Sequence, residues 1–258
     1  YDQMARLIEG ADHVISLVGI LHETKGNTFE TVQAKGPMLV GKIAREKNVR
    51  SLVHVSAIGA DVNSKSLYAS SKGLGETYIR DEFEKTVILR PSIIFGPDDN
   101  FFNRFANLAA FAPFLPLIGG GTTKFQPVYV QDVASAIMVA LEDSAKVGND
   151  YELGGPSIYS FRELLELLEK HTLRKRALVN IPFFLASLQA KFLENLPNPP
   201  LTQDQVRLLK TDNIVSQDAL TLQDLGISPM SCEAVLPTYL DRFRPGGRYN
   251  RSRLTTSS

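Results

Sequence analysis

The chain has 258 residues, and its 28 Lys plus Arg balance 28 Asp plus Glu to a formal net charge of zero. That length holds one large α/β domain, with or without a small lobe, and the missing basic excess argues against a nucleic-acid partner. The single cysteine, Cys232, excludes an internal disulfide and a cysteine-built zinc site. His13, His22, His54 and His171 lie too far apart for a His-Glu-x-x-His arrangement, so no metal is expected.

No apolar run reaches the roughly 18 residues that span a bilayer. The nearest, Phe105 to Ile118, is interrupted by Asn107, Pro113 and Pro116. The opening residues do not read as a signal peptide, and the chain begins at Tyr1 in mid-pattern, which reads as a fragment.

In chain order, His13 to Gly19 is a nearly all-apolar run ending in glycine, the pattern of a buried parallel strand. A helix follows over about 29–47, with Pro37 marking a kink or a late start. Ser51 to Ser56 is the next strand, 67–83 the next helix, and Thr86 to Leu89 a strand stopped by Arg90-Pro91. This alternation implies a parallel sheet with right-handed crossovers, a Rossmann-like doubly wound α/β fold. Beyond Gly96-Pro97 come a helix near 101–112, Gly119-Gly120-Gly121, a strand near 126–130, a helix over 133–141 with Asp132 as its N-cap, and a short strand at Tyr151 to Leu153. Helices near 161–170, 183–193, 202–209 and 231–243, with the break Pro197-Asn198-Pro199-Pro200, suggest a small, mostly helical C-terminal lobe. The expected division is 1–153 for a nucleotide-binding domain (97–130 lending parts of the substrate lobe), 154–243 for the lobe, and 244–258 for a flexible basic tail.

The sharpest motif is Tyr68-Ala69-Ser70-Ser71-Lys72 at the start of a helix. Tyr and Lys four residues apart share a helical face. A nearby ammonium is expected to lower the phenol below its usual value of about 10, so that Tyr68 could exchange a proton with a substrate oxygen. Lys72 could also donate to ribose hydroxyls. Alone the motif is weak, since two such residues also occur on solvated helices.

Its context strengthens it. The strand end Val53-His54-Val55-Ser56-Ala57, the segment from Val87 through Arg90-Pro91-Ser92-Ile93-Ile94 to Gly96-Pro97, and Pro127-Val128-Tyr129-Val130-Gln131-Asp132 occur in order around the motif. Together they resemble the extended and atypical short-chain dehydrogenase/reductase family, over about residues 11–153. The resemblance implies an NAD(P)-binding Rossmann fold with Tyr68, Lys72 and Ser56 as catalytic positions. It further implies that Leu17, Val18, Gly19, Val55, Ser56, Tyr68, Lys72, Pro91, Ser92, Ile93 and Ile94 lie along the cofactor. NADP(H) is expected ahead of NAD(H).

Two departures qualify it. The family's second strand-end hydroxyl is replaced by Ala57, and loss of such a donor costs on the order of 3 kcal/mol of transition-state stabilisation. The glycine-rich pyrophosphate loop is absent, so about 60 residues, or two βαβ steps, are expected upstream. Gly119-Gly120-Gly121 is no replacement, because no strand leads directly into it.

A narrower likeness rests on His54 to Ala60, Phe101-Phe102-Asn103-Arg104-Phe105-Ala106, Pro116 to Val130, Leu201-Thr202-Gln203-Asp204-Gln205-Val206 and Leu236-Pro237-Thr238-Tyr239-Leu240. These resemble the branch containing the NADPH-binding accessory subunit of respiratory NADH:ubiquinone oxidoreductase (complex I). That implies a largely structural nucleotide, complex I subunits near the quinone site as partners, and a peripheral position on the inner membrane, at the matrix or bacterial cytoplasmic side. The rival reading is an active NAD(P)-dependent oxidoreductase or epimerase-like enzyme on a quinone precursor, isoprenoid or sugar-like substrate.

Among weaker features, Phe101, Phe102, Phe105, Phe111 and Phe114 are expected to close the domain, and His54 to be a core histidine. The apolar residues of 181–193 form either the core of the lobe or an exposed face for a protein or membrane contact. The basic runs Arg174-Lys175-Arg176 and Arg242 to Arg253 read as solvated surface or as a contact to anionic lipid.

Overall fold

The computed structural model describes residues 1–143 and 146–246. A short helix, α1 (Asp2–Ile8), precedes strand β1 (His13–Ser16). A π-helical turn (Glu30–Lys35) runs straight into α2 (Gly36–Glu46), with Pro37 in its first turn. Pro37 therefore marks the junction between the two inside the expected single helix. Then come β2 (Ser51–Val55), α3 (Leu67–Glu82) and β3 (Val87–Pro91). The second half comprises β4 (Ile94–Phe95), α4 (Phe102–Phe111), β5 (Phe114–Ile118), β6 (Lys124–Phe125), β7 (Val128–Tyr129), α5 (Val130–Glu142), β8 (Asp150–Leu153) and β9 (Tyr159–Ser160). It ends with α6 (Phe161–Thr172), β10 (Ala177–Ile181), α7 (Phe183–Leu193), α8 (Gln203–Leu208), α9 (Cys232–Val235) and α10 (Pro237–Leu240).

The main sheet is parallel throughout, in the order β1-β2-β3-β8. Its faces follow from side-chain alternation along the strands. Leu52 points into a cluster with Ile43, Ala44 and Ile79 of α2 and α3. Its neighbour Val53 joins Val87, Leu89 and Tyr151 against Val133, Ala136 and Ala140 of α5. Helices therefore cover both faces, as parallel strands require.

Residues of the 97–130 stretch pack with those of the C-terminal lobe. Phe102, Ala106, Leu115, Leu117 and Phe125 share one core with Phe161, Leu164, Leu168, Leu236 and Leu240. Phe101, Phe105, Phe125 and Phe161 pack ring to ring at centroid separations of 5.2–6.4 Å. β5 pairs in parallel with β10. The expected helix over 231–243 is instead α9, α10 and a 3-10 turn (Asp241–Phe243), divided before Pro237.

Three expectations are corrected in detail. Asp132 does not cap α5, which starts at Val130; it lies buried in the first turn, and its carboxylate accepts from the Met230 amide at 2.8 Å. Of the aromatic set expected to close the domain, Phe111 is 89% exposed. Arg174 and Arg176 are not simply solvated: their guanidinium groups donate to the carbonyls of Phe243 and Ala109 at 2.6 and 2.8 Å. Arg248, Arg251 and Arg253 of the expected tail lie outside the described residues.

Candidate functional site

The site is built around the first turns of α3. Ser66 is the N-cap, its hydroxyl accepting from the Ala69 amide at 3.2 Å. In the middle of the helix, Glu76 is buried and takes a two-pronged hydrogen bond from Arg90 (3.0 and 2.6 Å), which also reaches Asp150 at 3.0 Å. That network ties α3 to β3 and β8, so the helix has little freedom to slide along the sheet.

Gly75 sets the distance on the other flank. A Cβ there would stand 2.0 Å from the Gln33 carbonyl, so only glycine lets the π-helical turn approach α3 this closely. Gln33 is fully buried in consequence. Its side-chain oxygen accepts from the Ile20 amide at 2.9 Å, and its amide donates to the Ser71 hydroxyl at 2.8 Å. The loop after β1 is thereby fixed against the Tyr-x-x-x-Lys helix by a residue that no local motif reveals.

Lys72 is buried, with 4% of its surface exposed, and its ammonium donates to the Val55 carbonyl at 3.2 Å. The expected buried strand over 13–19 is shorter and largely exposed, ending at Ser16, and a Cβ on Gly19 in the loop after it would stand 3.1 Å from that nitrogen. Burial lowers the lysine to about 8, opposed by the charge of Glu76. Tyr68 is half-buried, with its ring edge-on to Phe29 at 6.1 Å. Burial pushes its phenol up to about 12. This corrects the expectation that Lys72 lowers it: burial raises the phenol, and the protein alone holds Tyr68 neutral.

The remaining expected residues divide. Ser56 is buried, and its hydroxyl has no hydrogen-bond partner among the described residues. Its amide extends the ladder of β2 to the Leu89 carbonyl at 2.7 Å. Leu17 and Val18 are exposed at the mouth of the sheet, at 61% and 65%. Pro91 is buried, and its carbonyl accepts from the Ile58 amide at 3.0 Å. Ser92 directs its hydroxyl at Asn213, 2.7 Å from the side-chain oxygen. Ile93 packs against the core of the second lobe, while Ile94 is exposed. Lys72, Gly19 and Val55 are thus drawn together by contacts, with Tyr68 one turn before Lys72 on α3, whereas Ser92 and Ile93 face the lobe. His54 is a buried core histidine, joined to the Ser16 hydroxyl at 3.1 Å and pushed down to about 3 by burial and then by the charge of Lys72.

A dinucleotide fits this donor set. Lys72 has one bonded N–H direction and two more to offer, the Ser56 hydroxyl is an orphaned buried donor, and glycine at position 19 keeps the space before the ammonium clear. An unpaired buried hydroxyl is costly unless something else satisfies it. Contrary to expectation, β5 leads directly into Gly119-Gly120-Gly121, but the triplet packs on the second lobe, where a Cβ on Gly119 would meet the Phe183 ring at 2.2 Å. Among the described residues no cluster of three or more His, Cys, Asp or Glu is placed to hold a metal ion.

A parallel, doubly wound sheet with Tyr and Lys one turn apart beside a glycine in the loop after β1 defines a dinucleotide-binding Rossmann protein. The sequence profile of the NAD dependent epimerase/dehydratase family matches residues 1–154, and the chain belongs to that family. More particularly, it is 35% identical over 257 residues to NADH dehydrogenase [ubiquinone] 1 alpha subcomplex subunit 9, mitochondrial, of Arabidopsis thaliana, covering 95% of this chain and 64% of that protein. It is 33% identical to the protein of that name in Mus musculus, covering 94% of this chain and 65% of that one. The chain therefore spans a little under two thirds of these relatives. In fold it is similar to UDP-glucose 4-epimerase from Thermotoga maritima with UDP-glucose, at a TM-score of 0.71 and 18% identity, covering 94% of this chain and 81% of that one. It is likewise similar to the dTDP-glucose 4,6-dehydratase of Streptomyces venezuelae with NAD and TYD bound, at a TM-score of 0.70 and 19% identity, covering 97% of this chain and 77% of that one.

Proposed function

We propose that this chain is the nucleotide- and lobe-bearing part of an accessory subunit of respiratory NADH:ubiquinone oxidoreductase, holding NADP(H) in preference to NAD(H) as a structural ligand. The observation that carries this reading is the strand end beside the pair, where Ala57 stands in place of the active family's hydroxyl, and the burial of Tyr68 agrees with it. Tyr68 is pushed up to about 12. A general acid–base works best with a pKa near the operating pH; this phenol is far from it and lacks the neighbouring hydroxyl of the active family. The bound nucleotide supplies a hydride-transferring ring in active members. In this chain Lys72 and Ser56 would serve as donors to it, and Gly19 as the wall it lies on.

The proposed setting is peripheral to the inner membrane, beside the quinone site and on the matrix or bacterial cytoplasmic side. The likeness to the mitochondrial subunits supports it, extending through the second lobe and not only the Rossmann half. So does α7, which exposes Phe184, Leu188 and Phe192 at four-residue spacing (71%, 53% and 70%) beside the exposed Lys191. Such a stripe suits burial against a protein or lipid surface. None of the helices among the described residues is long and apolar enough to cross a membrane.

The test is size separation of gently solubilised membranes carrying the full-length protein. Co-migration with the large complex, unchanged by Tyr68→Phe, is the expected result. A free monomer, or loss of function by orders of magnitude on that substitution, would replace this reading with the active oxidoreductase or epimerase-like enzyme.

A further inference from the structure

The first two amides of α3 are not satisfied by their own neighbourhood. The Leu67 and Tyr68 amides donate to the two carboxylate oxygens of Asp204, at 2.9 and 3.0 Å, and the Ser66 hydroxyl donates to the same carboxylate at 2.7 Å. Asp204 lies 138 positions from Ser66, on α8 of the second lobe. Its side chain is only 12% exposed, with Arg207 as a neighbouring cation at 3.6 Å. α8 is itself held in place by a capping box in which Thr202 and Gln205 exchange hydrogen bonds. A carboxylate at a helix N-terminus gains from both the free amides and the helix dipole.

The same stretch of chain reaches two other strand ends. Asn213 accepts the Ser92 hydroxyl at 2.7 Å and donates to the Ile58 carbonyl at 3.3 Å, and its backbone carbonyl accepts from Gln126 at 3.1 Å. Residues 202–213 thus touch the start of α3, the loop after β2 and the turn after β3.

We propose that Asp204 is a positioning residue: it latches the second lobe onto the N-terminus of α3 and so sets where Tyr68 and Lys72 sit. The role of Asp204 is exerted through the helix and not by contact with a nucleotide. It rests on the proposed nucleotide site only for what the pair is positioned to meet. Seating of the second lobe is then felt at the nucleotide pair through a single carboxylate.

The experiment uses the full-length protein with Asp204→Ala and Asp204→Asn, and Ser160→Ala as the control. Ser160 caps α6 through its own capping box, so its loss weakens the second lobe without touching α3. Three quantities are read under native conditions: amide hydrogen exchange at Leu67 and Tyr68, the rate at which an amine-reactive sulfonate modifies Lys72, and NADPH affinity. With Asp204→Ala, exchange at both amides and modification of Lys72 rise about tenfold, and NADPH binds about tenfold more weakly. Asp204→Asn, which keeps an acceptor but not the charge, falls between, and Ser160→Ala leaves all three near wild type. Unchanged exchange and Lys72 reactivity in Asp204→Ala, or equal changes in Ser160→Ala, overturn the latch. A wild-type protein that binds no NADPH overturns the nucleotide reading instead, and the first two quantities still decide the latch.

Discussion

Replacing Lys72 with methionine separates stability from binding. The ammonium is buried with one carbonyl partner, and its fall from 10.5 to about 8 has desolvation as its leading cause. At about 1.4 kcal/mol per pH unit, that fall means the charged lysine costs the folded nucleotide-free protein about 3 kcal/mol. Methionine removes the charge and keeps an apolar chain of similar length, but leaves the Val55 carbonyl without its donor, a loss of about 1 kcal/mol. The net gain is about 2 kcal/mol, or about 4–8 °C in Tm for a protein of this size. Differential scanning calorimetry on the nucleotide-free full-length protein measures it, and titration with NADPH then raises the wild-type Tm but not that of the variant. The pH dependence gives a second check. Between pH 8 and 10.5 the unfolded lysine holds its proton while the folded one has lost it, so wild-type stability gains from this group as pH rises through that window, and the variant lacks the gain. A variant that melts lower than wild type, or a wild type with no such slope, would refute the desolvation argument.

Further outcomes follow from neighbouring residues. His54, held at about 3 against an ordinary 6.5, is neutral in the folded state and protonated in the unfolded state between those values. Its contribution is therefore complete above pH 6.5 and lost as pH falls toward 3, and His54→Leu should flatten that part of an acid-unfolding curve followed by circular dichroism. Gly75→Ala places a methyl 2.0 Å from a backbone oxygen, and a loss of about 3 kcal/mol in urea unfolding is expected. Ser70→Ala, on the solvent side of the same helix, should stay within about 0.5 kcal/mol of wild type.

What could be read from the sequence is what local chemistry dictates. β2, β3 and the start of α3 fall where the alternation of apolar residues places them, because both faces of the sheet are covered by helices. α1 was not foreseen, being seven residues long and lacking a side-chain cap. β5 was hidden by Pro116, which usually breaks a strand but is tolerated in a two-stranded ribbon. α5 begins before Asp132 because that carboxylate answers to Met230, 98 positions away. The candidate site was legible in its chemistry-bearing pair and not in its supports. Gln33, Asp204 and Asn213 act on partners 38, 138 and 121 positions distant, and no periodicity encodes such pairings. The direction of the Tyr68 shift was misread for the same reason, since burial is a property of the assembled fold.

In the proposed function Lys72 holds a nucleotide that Tyr68 does not turn over. The most direct test is the nucleotide content of the intact membrane complex purified with wild-type, Tyr68→Phe or Lys72→Met full-length protein. NADPH at about one per complex in the first two and absent from the third, with electron transfer to quinone unaffected by Tyr68→Phe, is the predicted result. Absence of nucleotide from the wild type, or loss of electron transfer on removing the phenolic oxygen, would contradict it.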